Sequence, residues 1–166
     1  QRREHLLVGH VVADREDERL GGRCGHELAR EQPLVRVVRP QLDDAVHRQL
    51  YLPDTNVLLT RFLSDSGVAE VSDFMPVEDA GVAHNLVRRA KTVRGEVRFG
   101  MRCDPRFDYA RATHTVERCG DTEILFLGRA GARELALRLR SSVPMQVAEG
   151  AAVAEFTLDE SSLPRA

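Results

Sequence analysis

Tryptophan is absent from this chain, tyrosine occurs only at Tyr51 and Tyr109, and lysine only at Lys91, in 166 residues. A sugar-binding face of exposed aromatic platforms therefore has little to draw on, and so has a surface that stacks single-stranded bases. Cys24, Cys103 and Cys119 are odd in number and form no C-x-x-C pair. Neither a disulfide framework nor a four-ligand zinc site is indicated, and a reducing, cytoplasmic setting is the expectation. No apolar run approaches the ~20 residues of a membrane span, and no signal peptide opens the chain. The net charge of −2 gives no global reason to expect nucleic acid or an anionic membrane as partner. No cofactor is implied either: GxGxxG, a Walker loop and a G-x-S-x-G elbow are all missing.

A local absence is sharper. Before Tyr51 there is no Ser, Thr, Asn, Lys, Ile, Phe or Tyr. Apart from Cys24, residues 1–50 use only amino acids whose codons can begin with C or G. β-Domains draw freely on Thr, Ser and aromatics for pleated surfaces and turns. Two readings of residues 1–39 stand side by side. One is a GC-rich gene read out of frame or on the opposite strand; the same segment in an intact, expressed homologue would refute it. The other is an Arg/Glu-rich solvated arm, irregular or helical, with pieces such as Glu27–Glu31 interrupted by Pro33 and Pro40. The opening Gln1 in place of Met suggests a fragment or a processed product, and the last residues, Glu160–Ala166, stop after a strand-like run.

From Pro40 the character changes to short strands. Asp43-Asp44 marks a turn, and Gln49–Leu52 an edge piece ended by Pro53. Asn56–Ser64 and Val68–Val77 form a hairpin, with Ser64-Asp65-Ser66-Gly67 expected to supply a positive φ. Glu78–His84 reads as a loop and Asn85–Val93 as a strand. Glu96–Cys103 is strictly alternating, with Val97, Phe99, Met101 and Cys103 on one face and Arg98, Gly100 and Arg102 on the other. Phe107–Glu117 reads as a strand, Cys119–Asp121 as a turn, Glu123–Leu127 as a short buried strand and Gly128–Gly131 as a turn. Leu135, Leu137 and Leu139 alternate with polar or small residues. Met145–Val147 and Ala151–Leu158 flank a Glu149-Gly150 turn. Short strands at intervals of about ten residues predict an all-β fold, an antiparallel sandwich over residues 40–160.

The chemistry-bearing residues read as structural. Asp54, Asp65, Asp73, Asp104 and Asp108 mostly lie beside Pro, Gly or Asn, where Asp bonds its own backbone; a glycosidase pair would need two carboxyls about 5–9.5 Å apart across a sugar. His5, His10, His26, His47, His84 and His114 show no metal-ligand spacing, and Cys24-Gly25-His26 is a lone C-x-H. Cys103 continues an apolar face and reads as core. Between Leu86 and Arg111 the cations Arg88, Arg89, Lys91, Arg94, Arg98, Arg102, Arg106 and Arg111 face only Glu96, Asp104 and Asp108 in sequence, eight against three. This excess reads as a polar sheet face or a surface for an acidic neighbour rather than a nucleic-acid site, because Phe99 points away from it. No catalytic, substrate-binding or metal-binding residue is assigned.

Two stretches carry a resemblance: YLPDTNVLLTRFLSDSGVAEVSDFMPV at 51–77 and LVRRAKTVRGEVRFGMRCDPRFDYARATHTVE at 86–117. With YLPDTNVL, VSDFMP, VRGEV and CDPRFDYAR in this order and spacing, the chain from Pro40 to Leu158 resembles the N-terminal domain of bacterial glycoside hydrolase family 15 enzymes, trehalase-like and glucoamylase-like. The resemblance implies a supersandwich-like β-domain that precedes a barrel of paired helices. In that family the barrel carries the acid and base glutamates that hydrolyse α-glucosidic bonds of trehalose, maltose or longer glucans. The chain stops before such a barrel, so no catalytic residue is carried over, and the implied partners are that barrel and the glucoside of the parent enzyme. Family members open with a segment rich in Trp, Ser and Asp. Residues 1–39 carry no such segment, so the sandwich is expected to be incomplete. A free-standing carbohydrate-binding sandwich is the alternative.

Overall fold

The computed structural model describes residues 6–11, 38–76 and 84–160. In chain order its strands are β1 (Leu6–Val11), β2 (Arg39–Pro40), β3 (Val46–Tyr51), β4 (Leu58–Leu63), β5 (Val68–Phe74), β6 (His84–Arg94), β7 (Glu96–Cys103), β8 (His114–Arg118), β9 (Glu123–Ala130), β10 (Arg133–Ser141), β11 (Gln146–Ala148) and β12 (Ala151–Asp159). Eight form one antiparallel sheet in the order β3-β4-β5-β6-β1-β10-β9-β8; four form a second in the order β11-β12-β7-β2. The fold is all-β and sandwich-like, as the strand spacing predicts. The expected loop at Glu78–His84 falls outside the described residues except for His84, which opens β6.

The core lies between the two sheets. Val97, Phe99, Met101 and Cys103 of β7 and Ala152, Ala154 and Leu158 of β12 meet Ala69, Ala90, Ile124, Phe126, Leu137 and Leu139 of the larger sheet. The period-2 reading of Glu96–Cys103 holds residue by residue: every second side chain is buried. Thr92, one of two buried threonines among the described residues with Thr60, donates its hydroxyl to the Leu158 carbonyl at 3.0 Å, tying the sheets together. A buried hydroxyl without such a partner would cost about 1–3 kcal/mol.

Four expectations need correction. Leu6–Val11, inside the segment expected to be irregular or helical, is a strand hydrogen-bonded between β6 and β10. Its apolar, partly β-branched run outweighs the composition around it. Phe107–Glu117 is not one strand: Phe107–Ala110 winds into a tight 3-10 turn and the strand starts only at His114. Gly128 is not a turn glycine but lies inside β9, and the reversal comes at Gly131, with φ 62. Finally, Gly67 has no positive φ. A Cβ there would lie 3.0 Å from Val97 Cγ2 and 3.1 Å from the Arg94 carbonyl, so the glycine supplies space rather than torsional freedom.

Candidate functional site at one end of the sandwich

The registers define two ends. At one, Gly95 carries the chain from β6 in the large sheet to β7 in the small one with φ 76, and the β4–β5 turn closes on it. A Cβ on Gly95 would sit 2.9 Å from the Ser66 carbonyl. Arg94 reaches across to the Ser64 carbonyl at 3.0 Å. The VRGEV stretch belongs to this end, and its glycine is explained by close packing.

The other end collects the remaining motif stretches. β3 finishes there at Tyr51, β4 begins there, β5 finishes there at Phe74, and β7 finishes there at Cys103. YLPDTNVL, VSDFMP and CDPRFDYAR therefore meet at one end of the sandwich although they run from Tyr51 to Arg111 in sequence. They interlock as well: the Asn56 amide donates to the Met75 carbonyl at 2.7 Å, joining YLPDTNVL to VSDFMP.

Three features occupy this end. In the middle, Arg88 grips Asp73 through both Nε and Nη2, the latter at 2.7 Å from Oδ2. Both side chains are largely buried, so Asp73, inside the strand expected at Val68–Val77, is held by a bidentate cation. Beneath lies Cys103, whose thiol is pushed up to about 12, mainly by burial and further by Asp104, with Arg88 acting the other way. It is a core residue and not a thiolate nucleophile.

At one side stands Tyr51, two-thirds exposed, and at the other Tyr109, 74% exposed. Tyr109 tops an unusual turn: Asp108, Tyr109 and Ala110 have φ of 48°, 55° and 67°, three successive non-glycine residues in the left-handed region. That conformation costs roughly 1–2 kcal/mol per residue. It is held because the chain is fixed on both flanks. Phe107 is buried over Gly128, where a Cβ would come within 2.7 Å of its ring. His114 packs edge-on against Phe107 and Phe126 at 5.7 and 5.6 Å and donates its Nε2–H to the Gly150 carbonyl at 2.9 Å. Arg111 closes the turn, donating to the Asp108 carbonyl and carboxylate at 3.1 and 2.6 Å while its guanidinium stands 5.6 Å from the Tyr109 ring centre.

The sequence-stretch candidates sort accordingly. Asp54, Asp73, Asp104 and Asp108 share the motif end, whereas Asp65 lies at the Gly95 end. Asp54 and Asp108 have the left-handed φ of turn aspartates. Asp104 is paired with Arg106 at 2.6 Å. His47 lies tilted against Phe62 with ring centres 6.1 Å apart, and His5, His26 and Cys24 lie outside the described residues. Among the described residues no group of three or more His, Cys, Asp or Glu is placed to hold a metal ion. The cation excess of 86–111 is offset by acids distant in sequence: Lys91 meets Glu70 at 3.9 Å, Arg102 meets Glu149 at 3.6 Å and Arg98 meets Glu155 at 2.5 Å. The Arg98 hydrogen bond and charge lower the Glu155 pKa. Among the described residues no helix is long and apolar enough to cross a membrane.

Sequence reasoning passed over the left-handed turn and the partner of Asp73. Neither has a local signal, because both depend on residues brought together only by the sheets. The chain gives no match to family models, to curated proteins or to solved structures.

Proposed function

We propose that this chain is the accessory β-sandwich of a family 15-type glycoside hydrolase, and that its motif end is the surface that packs on the catalytic helical barrel and shapes the mouth of the active site. One observation carries the reading: three of the four motif stretches that resemble the family converge on one end, which presents both tyrosines of the chain. Exposed tyrosine and arginine side chains, such as Tyr109 with Arg111 beside it, are the ones that concentrate binding energy in protein interfaces. A left-handed turn built from Asp108, Tyr109 and Ala110, where glycine would be less costly, fits a surface whose side chains matter.

On this reading the chain hydrolyses nothing alone. Its carboxylates at the motif end are engaged in turns or ion pairs, with Asp73 on Arg88 and Asp104 on Arg106. The test is complementation. A family 15 helical barrel expressed without its own sandwich should bind this chain and gain activity on trehalose or maltose. Tyr109→Ala should weaken that binding roughly tenfold or more, as expected for an interface anchor. Glucose release by the 166-residue chain on its own would sink the proposal.

The exposure of Tyr51 and Tyr109 also favours a second reading, a free-standing carbohydrate-binding sandwich. Calorimetric titration with trehalose and malto-oligosaccharides separates the two: saturable binding abolished by Tyr51→Ala supports the module, and no binding supports the accessory domain.

A further inference from the structure

Strand β3 forms one edge of the eight-stranded sheet, and all six of its residues are exposed. Natural edge strands are usually protected by proline, lysine, a bulge or a covering segment. β3 contains neither proline nor lysine, its register with β4 runs unbroken from Val46 to Tyr51, and no described strand pairs with its outer side. Val46, Leu50, Tyr51 and Leu52 on or beside it are 61%, 48%, 67% and 37% exposed.

The direction of its free backbone groups follows from the ladder. The Leu52 N–H donates to the Val57 carbonyl at 3.0 Å, so Leu52 is hydrogen-bonded to the β4 side. Alternation in an antiparallel pair then turns Val46, Arg48 and Leu50 toward β4, and His47, Gln49 and Tyr51 outward. The other side of β4 agrees. The Ser64 N–H donates to the Gly67 carbonyl at 3.0 Å, which points Leu58, Thr60 and Phe62 at β5 and leaves Leu59, Arg61 and Leu63 for Leu50, Arg48 and Val46.

We propose that the β3 edge joins a second copy of this chain about a twofold axis through Gln49, making one continuous antiparallel sheet across the two. The twofold requires directly opposed residues to share a sheet face, so the axis passes through a residue. Centred on Gln49, His47 faces Tyr51, Gln49 faces its own mate, and the outward groups of all three form about six main-chain hydrogen bonds between copies. On the opposite face Arg48 lies against Leu50 and Val46 against Leu52, covering the exposed apolar side chains. Centring on Arg48 instead sets two arginines opposite each other, which is destabilising, while centring on His47 or Leu50 shortens the ladder by pairing Gln49 with Ala45, outside β3, or His47 with Pro53, which has no N–H to donate. Self-complementarity at this one register selects a second copy as the occupant. It does not rest on docking to a catalytic barrel, although Tyr51 at the end of β3 belongs to both surfaces.

Sedimentation of the purified chain over a range of concentrations should show a reversible monomer–dimer equilibrium. Gln49→Lys places two ammonium groups at the axis and should weaken dimerisation roughly tenfold or more with the far-ultraviolet circular dichroism unchanged. Thr60→Val removes the hydrogen bond that the Gln49 amide makes to the Thr60 hydroxyl, at 3.0 Å, without touching the edge, and should dimerise normally. In a Cys24→Ser, Cys119→Ser background, Gln49→Cys should form an intermolecular disulfide on mild oxidation, since opposed residues of such a pair lie about 5.5 Å apart. Arg48→Cys, facing Leu50, should form far less. A chain that stays monomeric at all concentrations, a dimer indifferent to Gln49→Lys, or cross-linking through position 48 in preference to 49 would each overturn the proposal.

Discussion

The two ends of the sandwich solve the same problem, reversing the chain tightly, with different residues. At the Gly95 end the crossover between the sheets is made by a glycine, a second glycine, Gly67, clears space beside it, and the one left-handed non-glycine residue leading into β3 is the turn aspartate Asp44. At the motif end Gly131 and Gly150 take positive φ too, but left-handed positions also fall on Asp54, Glu149 and the three successive residues Asp108, Tyr109 and Ala110. The first arrangement minimises strain and presents little; the second tolerates strain and presents Tyr109 and Arg111. An end built for packing should respond to substitution through stability alone. An end built for contact should separate stability from binding, and each prediction below tests that separation.

The largest effect belongs to the packing end. Gly95→Ala places a methyl against the backbone oxygen of Ser66, which no rotamer can move, and does so at φ 76. A loss of roughly 2–4 kcal/mol is expected in urea unfolding, from strain and overpacking together. A neutral result would mean that this corner is not the close-packed end described. Gly128→Ala, beneath the contact turn, should cost about 1–3 kcal/mol by displacing Phe107, and should also reduce binding to a catalytic barrel because the turn loses its anchor. Stability lost without any change in binding would detach Tyr109 from the proposed surface.

Next comes the thiol below the Arg88–Asp73 pair. Cys103 has a folded pKa raised from 9.0 to about 12. Its contribution to stability is therefore complete below pH 9 and is lost as pH rises from 9 toward 12, where the unfolded chain ionises first. Over that window the wild-type chain should lose up to about 1.4 kcal/mol per pH unit more than Cys103→Ala does. Measuring unfolding free energy for both chains at several alkaline pH values checks it; parallel curves would place the thiol in contact with water. Iodoacetamide gives a qualitative companion result: exposed Cys119 should be labelled in the native chain and Cys103 only after unfolding.

How much of this was legible in sequence depends on how local each cause is. Alternation at Glu96–Cys103 and Leu135–Leu139, and the Glu149-Gly150 reversal, are local, and all three stand as read. Glu149 and Gly150 have φ of 52° and 74°, the pair of positive values that a two-residue hairpin loop requires. Gly67 and Gly128 were legible as special but not as to why, because their neighbours Val97 and Phe107 are about 20–30 residues away in the chain. The cation excess of 86–111 was read without its counter-charges for the same reason: Arg98 and Glu155 meet only because β7 lies beside β12. Leu6–Val11 is the opposite case, a short, mostly apolar run with two valines that the odd composition of its surroundings concealed.

The smallest expected change is the most discriminating. Tyr109→Gly removes the side chain from a position with φ 55°, where glycine carries no Cβ penalty. It also makes the unfolded chain more flexible, which takes back part of the gain. The tyrosine is 74% exposed, so little buried area is lost with it. The net outcome expected is a stabilisation of up to about 1 kcal/mol, readable as a small rise in urea midpoint at constant m-value. Tyr109→Ala removes the same ring while keeping the Cβ penalty, and should leave the midpoint unchanged or slightly lower. Both variants should lose binding to a catalytic barrel by a similar factor. A fold that gains stability while losing its partner is the behaviour of a contact surface held under strain. Should Tyr109→Gly instead lower the midpoint by more than about 1 kcal/mol, the ring is packing against the body of the sandwich, and the contrast between the two ends disappears.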